Sequence, residues 1–526
     1  MTAAYWLSFA ALAGIALWLG ADLLATPPIS DGWMALWAVR KLDWWRVLSE
    51  PLVAGYVYIS VFEPFFMFGH LLGDALAPAL GNGGYHVVPV LALLLSAERL
   101  ADMVRHATGS AISALAAAAA FLFAAVSWLG VADTSSYHYL CATSLALCSI
   151  APGWRAYAAG VEPRRLASFS SAAAYALAIG WKPAVVGVPL LVIGLLRAAG
   201  WRLIPAALFV VPHGIALAAL VGWQVHILGG IGGYPFTPFL VWPNLWAAPL
   251  VVAVESCGHF VVAVALVAVS LLLRPRAVWL WALAAIVGFL PSIFASPIAI
   301  GIDNAIKLIL PFALFLLLVS CSLGLRIGSG AVVLAAAVLF WAQTPQRGHV
   351  RTLLDHFVRN EAAYFSADEP LVVLSPDIWI AYAYAHQLRQ DPKPPLVALF
   401  DPIDVQLYRN FEGFPVGARR INVPELPPIT TEPMPLDGIT IGADAGGHFR
   451  LDLGHELPDR LWLTWHYQNG ATSFMYSMPV TRTRIAFPLN YSLRAMFLVR
   501  PRDDGPWLVH RWQSPWFRNP YPSAVE

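Results

Sequence analysis

Asp31 follows an apolar run that ends near Thr26, in the stretch Pro27-Pro28-Ile29-Ser30-Asp31-Gly32-Trp33. That position sets a carboxylate at the face of a membrane, within reach of a lipid headgroup. Ser30 or Asp31 serves equally as the cap of the helical-looking stretch Trp33 to Lys41, complementing its dipole. Two lone ammoniums, Lys182 and Lys307, stand at the predicted outer ends of apolar runs. Ionisable groups at membrane depth are expensive and are functional candidates for that reason. For Lys307 the alternatives are a partner at helical spacing, Asp303, or snorkelling to the interface. The run Glu63-Pro64-Phe65-Phe66-Met67-Phe68-Gly69-His70 leads on to Asp74. His70 and Asp74 are four apart, which predicts a hydrogen-bonded pair on one helix face; two ligands do not make a metal site. Glu255 and His259 share that spacing inside another apolar run, where they either satisfy each other or face a water-filled cavity.

The elements that must position these groups are membrane helices. The chain has 526 residues, 59% hydrophobic and 12% charged, which excludes an ordinary soluble enzyme and indicates a polytopic α-helical membrane protein. Net charge near zero gives no footprint for a nucleic-acid partner. The four cysteines all fall in apolar runs, so the polar part of the chain has no disulfide framework. Apolar blocks near the ~20 residues that a span requires lie at 4–26, 86–104, 110–130, 138–152, 167–181, 183–196, 203–224, 248–273, 277–293, 305–323 and 329–344. The first lacks a basic leader and reads as a retained anchor.

Between the first two blocks, residues 27–85 are Trp-rich, too polar to cross a bilayer comfortably and too apolar to float free. They are expected to lie along the membrane surface. Arg99 and Arg105, then Arg155, Arg164 and Arg165, then Arg197 and Arg202, then Arg274 and Arg276, then Arg326 mark alternate connections. Placing them in the cytoplasm satisfies the positive-inside rule. It makes 52–78 re-entrant or interfacial and gives about eleven crossings, with the N-terminus inside and the C-terminal part outside. Arg40, Lys41 and Arg46 run against this topology. They either meet anionic headgroups or substrate phosphate, or ride across in a tightly folded loop.

Two domains are expected: 1–345 in the membrane and 346–526 outside it, the latter mixed α/β with a β-rich second half. A helical stretch (Val350 to Phe365) precedes strands at Leu371–Leu374 and Leu396–Phe400, with a helix through Ala381 to Arg389 between them. A proline-rich linker, Val423 to Pro435, leads to period-two segments at 460–465, 474–478 and 494–499. Asp377 and Asp401 end strands, either as part of a binding edge or as helix-capping or turn aspartates. The loop Gly229 to Trp246, glycine-rich and then aromatic, suits either a lid or a passive interfacial loop.

These features together resemble the GT-C class of membrane glycosyltransferases, which includes lipid A aminoarabinose transferases and protein O-mannosyltransferases. In that class an acidic motif follows the first helix, as Ser30-Asp31-Gly32-Trp33 does here, and leads to a Gly-Asp-Trp-like turn, similar to Leu42-Asp43-Trp44-Trp45. Glu63-Pro64-Phe65-Phe66 and Phe68-Gly69 stand where the class has a Pro-Pro-Leu-Tyr-like stretch and a helix ending Phe-Gly. Lys182-Pro183 is similar to a Lys-Pro of polyprenol-dependent mannosyltransferases, and Lys307 to Pro311 looks like the Arg-Tyr-x-x-x-Pro segment. The pattern departs at Gly32, where the class has a second acid, and at Glu63, where it has a basic residue or His.

The resemblance covers 1–345 and implies transfer of a sugar from a polyprenyl-phosphate donor to an acceptor hydroxyl of a glycan, lipid or protein. Transfer takes place at the outer face of the plasma (inner) membrane, usually with inversion. On that reading Asp31 is the base, and Lys307, Lys182 and, less directly, Arg40 and Lys41 hold the donor phosphate. Asp43, Glu63, His70 and Asp74 are the supporting groups. No cofactor or metal is indicated, and a divalent-cation requirement is left unassigned. A lipid-linked-glycan transporter, or a non-catalytic subunit of polysaccharide assembly, are the competing classes; a transporter would be expected to show internal repeats and matched broken helices.

Overall fold

The computed structural model describes residues 3–29, 31–41, 55–56, 59–160, 165–228, 238–295, 298, 300–365, 368–374, 395–399, 402–425, 430–431, 440–443, 448–452, 462–469, 472–479, 484–486, 492–502, 505–511 and 517–518. Contacts divide the chain into two units. One comprises Met1–Pro28, Glu63–Trp223 and Tyr234–His356, and the other Ile29–Phe62, Gln224–Gly233 and Phe357–Glu526. The expected boundary at 345/346 falls within a single helix, Thr344–Phe365.

In chain order the helices are α1 (Ala3–Leu19), α2 (Asp31–Lys41), α3 (Pro64–Leu80), α4 (Gly83–Thr108), α5 (Ala111–Leu122), α6 (Ala125–Ala132), α7 (Tyr137–Ala159), α8 (Arg165–Trp181), α9 (Val188–Ala198), α10 (Leu203–Leu228), α11 (Pro238–Val251), α12 (Phe260–Leu273), α13 (Val278–Ala295), α14 (Ile302–Ala305), α15 (Ile309–Arg326), α16 (Ser329–Ala342), α17 (Thr344–Phe365) and α18 (Pro402–Phe411). Long Ala/Leu-rich runs form helices because each such segment satisfies its own backbone polar groups, a necessity in hydrocarbon. Among the described residues, Leu203–His226, Pro275–Ile293 and Ile306–Arg326 can each cross a membrane by length and composition; the count among them reaches five if two bent pairs each make one span. Shorter apolar helices at Ala3–Leu19, Leu166–Trp181, Pro183–Ala198 and Ser329–Ala342 accompany them. The chain is a helical membrane protein.

Two expected spans are broken. α5 and α6 meet at 54°, and the break is stitched by side chains: Trp128 Nε1 donates to the Leu122 carbonyl at 2.9 Å, and the Ala125 amide donates to Gln343 Oε1 at 2.9 Å. The span expected at 248–273 turns by 103° between Ser256 and Phe260. A π-helical turn at Val252–Ser256 precedes the turn, and Gly258 takes φ +82°. A Cβ on Gly258 would lie 2.4 Å from the Ala342 backbone, so only glycine fits. The break also separates Glu255 from His259. The His259 ring caps α12, accepting from the Val261 amide at 3.2 Å, and the pair that their spacing allowed does not form.

The arginine-bearing turns gather at one end of the bundle. Asp102 of α4 accepts from Arg105 at 3.1 Å and from Arg155 of α7 at 2.6 Å. Arg274, just past α12, donates to the Tyr157 hydroxyl at 3.2 Å. Ser110 and Ser329, which open α5 and α16, share a 2.7 Å hydrogen bond.

In the other unit, β1 (Leu371–Leu374) and β2 (Leu396–Leu399) pair in parallel, as expected of a β-α-β arrangement; the helix expected between them lies outside the described residues. The period-two segments are strands at Trp462–Asn469, Thr472–Pro479 and Ser492–Arg502. They are not a separate layer: Thr472–Met475 pairs in parallel with β2, which joins both halves in one sheet of nine described strands. Val372, Val397, Leu399, Ile403, Leu407 and Met475 form the core between this sheet and α18. Asp377 and Asp401 lie outside the described residues.

Candidate functional site

Glu63 is the residue before α3, whose first position is Pro64; a proline there costs no hydrogen bond and starts the helix sharply. Residues 59–62 just before it are extended, pairing with 55–56 in a short antiparallel ladder, so among its described residues the stretch expected to be re-entrant or interfacial is part strand, and helix from Pro64. The helix then continues through Phe68-Gly69, where the resemblance would end it, to Leu80. Gly69 is the point of close approach to α7: a Cβ there would meet the Tyr137 hydroxyl at 2.2 Å.

Lys182 lies just past α8 with an extended backbone, opening a one-turn helix at Pro183–Val185. Its Nζ donates to Glu63 Oε1 at 2.5 Å, and the two residues are 8% and 2% exposed. His138, in the first turn of α7, brings Nε2 within 3.6 Å of the other carboxylate oxygen. The ammonium also lies 4.7 Å from the centre of the Tyr139 ring, a cation–π contact. Burial pushes the Glu63 carboxyl above the usual carboxylate range, and Lys182 pulls it back only in part. The Phe66 ring packs against His70, Tyr137 and His138, with centroids 4.7, 5.4 and 5.0 Å away, and closes the cluster to water.

Lys182, expected to hold a donor phosphate, is therefore committed to a carboxylate within the protein. The predicted pair of His70 and Asp74 does not form either. His70 Nε2 bonds the Thr134 carbonyl at 3.1 Å, while Asp74 accepts from Tyr85 at 3.0 Å. Helical spacing permitted the pairing, but the 133–136 turn and α4 supply closer partners. Burial lowers the His70 ring to about 3, so it is neutral. Beside it, Asp133 accepts from the Ser135 amide at 2.8 Å and the Ser135 hydroxyl at 2.6 Å, fixing the turn that leads into α7.

Lys307 is half-buried in the turn Ile306–Leu308, where its Nζ donates to Asn304 Oδ1 at 3.0 Å. This turn packs on α6 and α7, as Ile306 against Gly130 shows. Lys182 and Lys307 thus both border the start of α7 within one unit. Asp31 begins α2 in the other unit, and Arg40 of the same helix is exposed. The side chains of Asp31, Lys41 and Asp303, and the whole of Asp43, lie outside the described residues.

His138 and Tyr139 were not singled out from the sequence. The signal was there: Tyr137-His138-Tyr139 opens an apolar block directly after the polar turn Asp133 to Ser136. Among the described residues no group of three or more His, Cys, Asp or Glu could hold a metal ion. No protein-family model matches the chain, and comparison with curated proteins finds no match.

Proposed function

We propose that the protein is a membrane glycosyltransferase of the GT-C type, moving a sugar from a polyprenyl-phosphate donor to an acceptor hydroxyl at the outer face of the membrane. The observation that carries the reading is the buried Glu63–Lys182 pair with His138 beside it, at the end of the bundle opposite the Asp102–Arg155 arginine cluster. Ion pairs in a lipid-embedded bundle are costly to bury and mark working sites. The eleven-crossing topology, with an outer C-terminal domain, belongs to the same reading, and it sets this cluster at the outer end.

In the reaction Asp31 takes the acceptor hydroxyl proton while that oxygen attacks the anomeric carbon. The bond from that carbon to the phosphate oxygen breaks, and polyprenyl phosphate leaves with the electron pair. Lys307 stabilises the departing phosphate. Lys182 holds the α3 N-terminus to α8 and α7 through Glu63, so its role here is positioning. In the test, purified protein is incubated with a panel of polyprenyl-phosphate sugars and the release of polyprenyl phosphate is measured. Release by wild type and its loss in Asp31→Asn, with an unchanged melting profile, is the expected result; full release by Asp31→Asn removes the base assignment.

A second reading has its own observation. The 103° break around Gly258, with buried Glu255 at its edge, resembles the discontinuous helices that form substrate sites in transporters. A transporter would carry the lipid-linked sugar across liposomes without releasing lipid phosphate.

A further inference from the structure

α5 packs on α16, and where α1 lies against them the three helices leave an apolar groove of about 580 Å³, walled by Leu12, Ile15, Ala116, Ala119 and Ala337, with Phe340 near its end. The groove runs into a second pocket of about 180 Å³ that shares Leu19, Phe123 and Phe340 and is bordered by Trp128, Arg347 and Arg351. A hydrocarbon-lined channel therefore ends at two guanidiniums one helical turn apart at the start of α17.

Those guanidiniums are unevenly satisfied. Arg351 is held by Asp22, Nε to Oδ2 at 3.1 Å, and by the Leu19 carbonyl at 3.2 Å. Arg347 stacks over Phe340 at 4.1 Å and donates through Nη2 to the Phe340 carbonyl at 2.8 Å and to Thr344 Oγ1 at 3.0 Å. Its Nη1 is enclosed and has no hydrogen-bond partner among the described residues. Of the two cations only Arg351 meets a carboxylate; Arg347 borders the smaller pocket with no carboxylate on it among the described residues. The N-terminal turn of α17 beside them also favours an anion, and a phosphate oxygen is the natural partner of a guanidinium so placed.

We infer that this channel seats a phosphate-headed membrane lipid, one hydrocarbon chain lying between α1, α5 and α16 and the phosphate monoester between Arg347 and Arg351. Charge complementarity at the mouth identifies the occupant: a zwitterionic headgroup would bring a second cation against the arginine pair. The site rests on no step of the transfer reaction, so its failure and the failure of that reading are separately visible.

The test uses full-length protein in phosphatidylcholine nanodiscs, with palmitoyl lysophosphatidic acid as probe and palmitoyl lysophosphatidylcholine as its zwitterionic match. Wild type is expected to bind the phosphate monoester at least tenfold tighter. Arg347→Gln/Arg351→Gln should lose that preference. Ala337→Phe, which fills the groove from an exposed position on α16, should weaken the phosphate monoester tenfold while leaving the melting profile unchanged. Equal affinity of wild type for the two lipids, or an undiminished preference in the double variant, would overturn the assignment. So would displacement of the lipid by inorganic phosphate alone, which would mark an ion site indifferent to the groove.

Discussion

Lys182 Nζ and Glu63 Oε1 lie 2.5 Å apart although 119 positions separate them in the chain. The pair ties the beginning of α3 to the end of α8, and His138 reaches the same carboxylate from the first turn of α7. Three segments thus converge on one buried carboxylate, which explains how a helix that starts outside the apolar spans is anchored against them.

Removing one partner is expected to do more harm than removing both. Glu63→Gln takes the carboxylate away from a buried ammonium and should destabilise the bundle by about 3–5 kcal/mol. Lys182→Met should cost less, because a carboxyl already pushed up by burial takes a proton instead. Glu63→Gln/Lys182→Met should recover most of the loss. Thermal midpoints of the three variants in one detergent give the order; equal losses in all three would mean the pair does not hold α3.

Acid should act through His70. Its ring is held to about 3 in the folded protein, against about 6.5 when unfolded. The folded state thus binds fewer protons than the unfolded one between those values. Stability is complete above about pH 6.5 and falls as pH drops toward 3, by up to about 1.4 kcal/mol per pH unit for this group. His70→Gln keeps a donor for the Thr134 carbonyl and should flatten that slope by one proton. Melting profiles measured between those limits decide it; an unchanged slope excludes His70 as the source.

For Lys307 the expected effect is on donor handling. Lys307→Gln should raise KM for the polyprenyl-phosphate donor and lower kcat, by about tenfold or more together, since charge stabilisation of a leaving group is largest in the transition state. Steady-state release of polyprenyl phosphate measures it. Unchanged constants would return Lys307 to a purely structural bond with Asn304.

Gly258→Ala places a methyl group 2.4 Å from the Ala342 carbonyl in a backbone conformation that L side chains rarely adopt. The cost should be at least about 2 kcal/mol. Gly14→Ala, where a Cβ meets nothing within 4 Å, is the control and should be neutral or stabilising. Comparable melting of the two variants would show that the bend is not rigidly packed.

Helix positions were legible because apolar runs of the right length leave the chain few alternatives to a helix. Strands Leu371–Leu374 and Leu396–Leu399 were legible for a related reason, as short apolar runs between turn residues. Partnerships were not. The spacings of His70 with Asp74 and of Glu255 with His259 fit a helix, but spacing says nothing of a carbonyl arriving from another element or of a break between the two residues. Glu63 and Lys182 were each singled out, yet no local pattern joins residues so far apart. The break at Gly258 was hidden because the residues around it are as apolar as a straight span. Asp31 was legible as the residue that opens α2, and its chemistry stays with the proposed reaction.

The bond from Arg274 to Tyr157 bears on how the chain is threaded through the bilayer. From Tyr157, four runs, α8, α9, α10 and α12, carry the chain away from the arginine-rich end and back twice, which already delivers Arg274 to its partner. That even count belongs to the eleven-crossing reading proposed above, and on that reading α11 is no traverse of its own but a beam along the headgroup layer. Its two tryptophans suit such a station: Trp242 and Trp246, both 67% exposed, stand edge to face at 5.8 Å. A helix so placed would tilt when the bilayer thins or thickens, before any upright helix is strained.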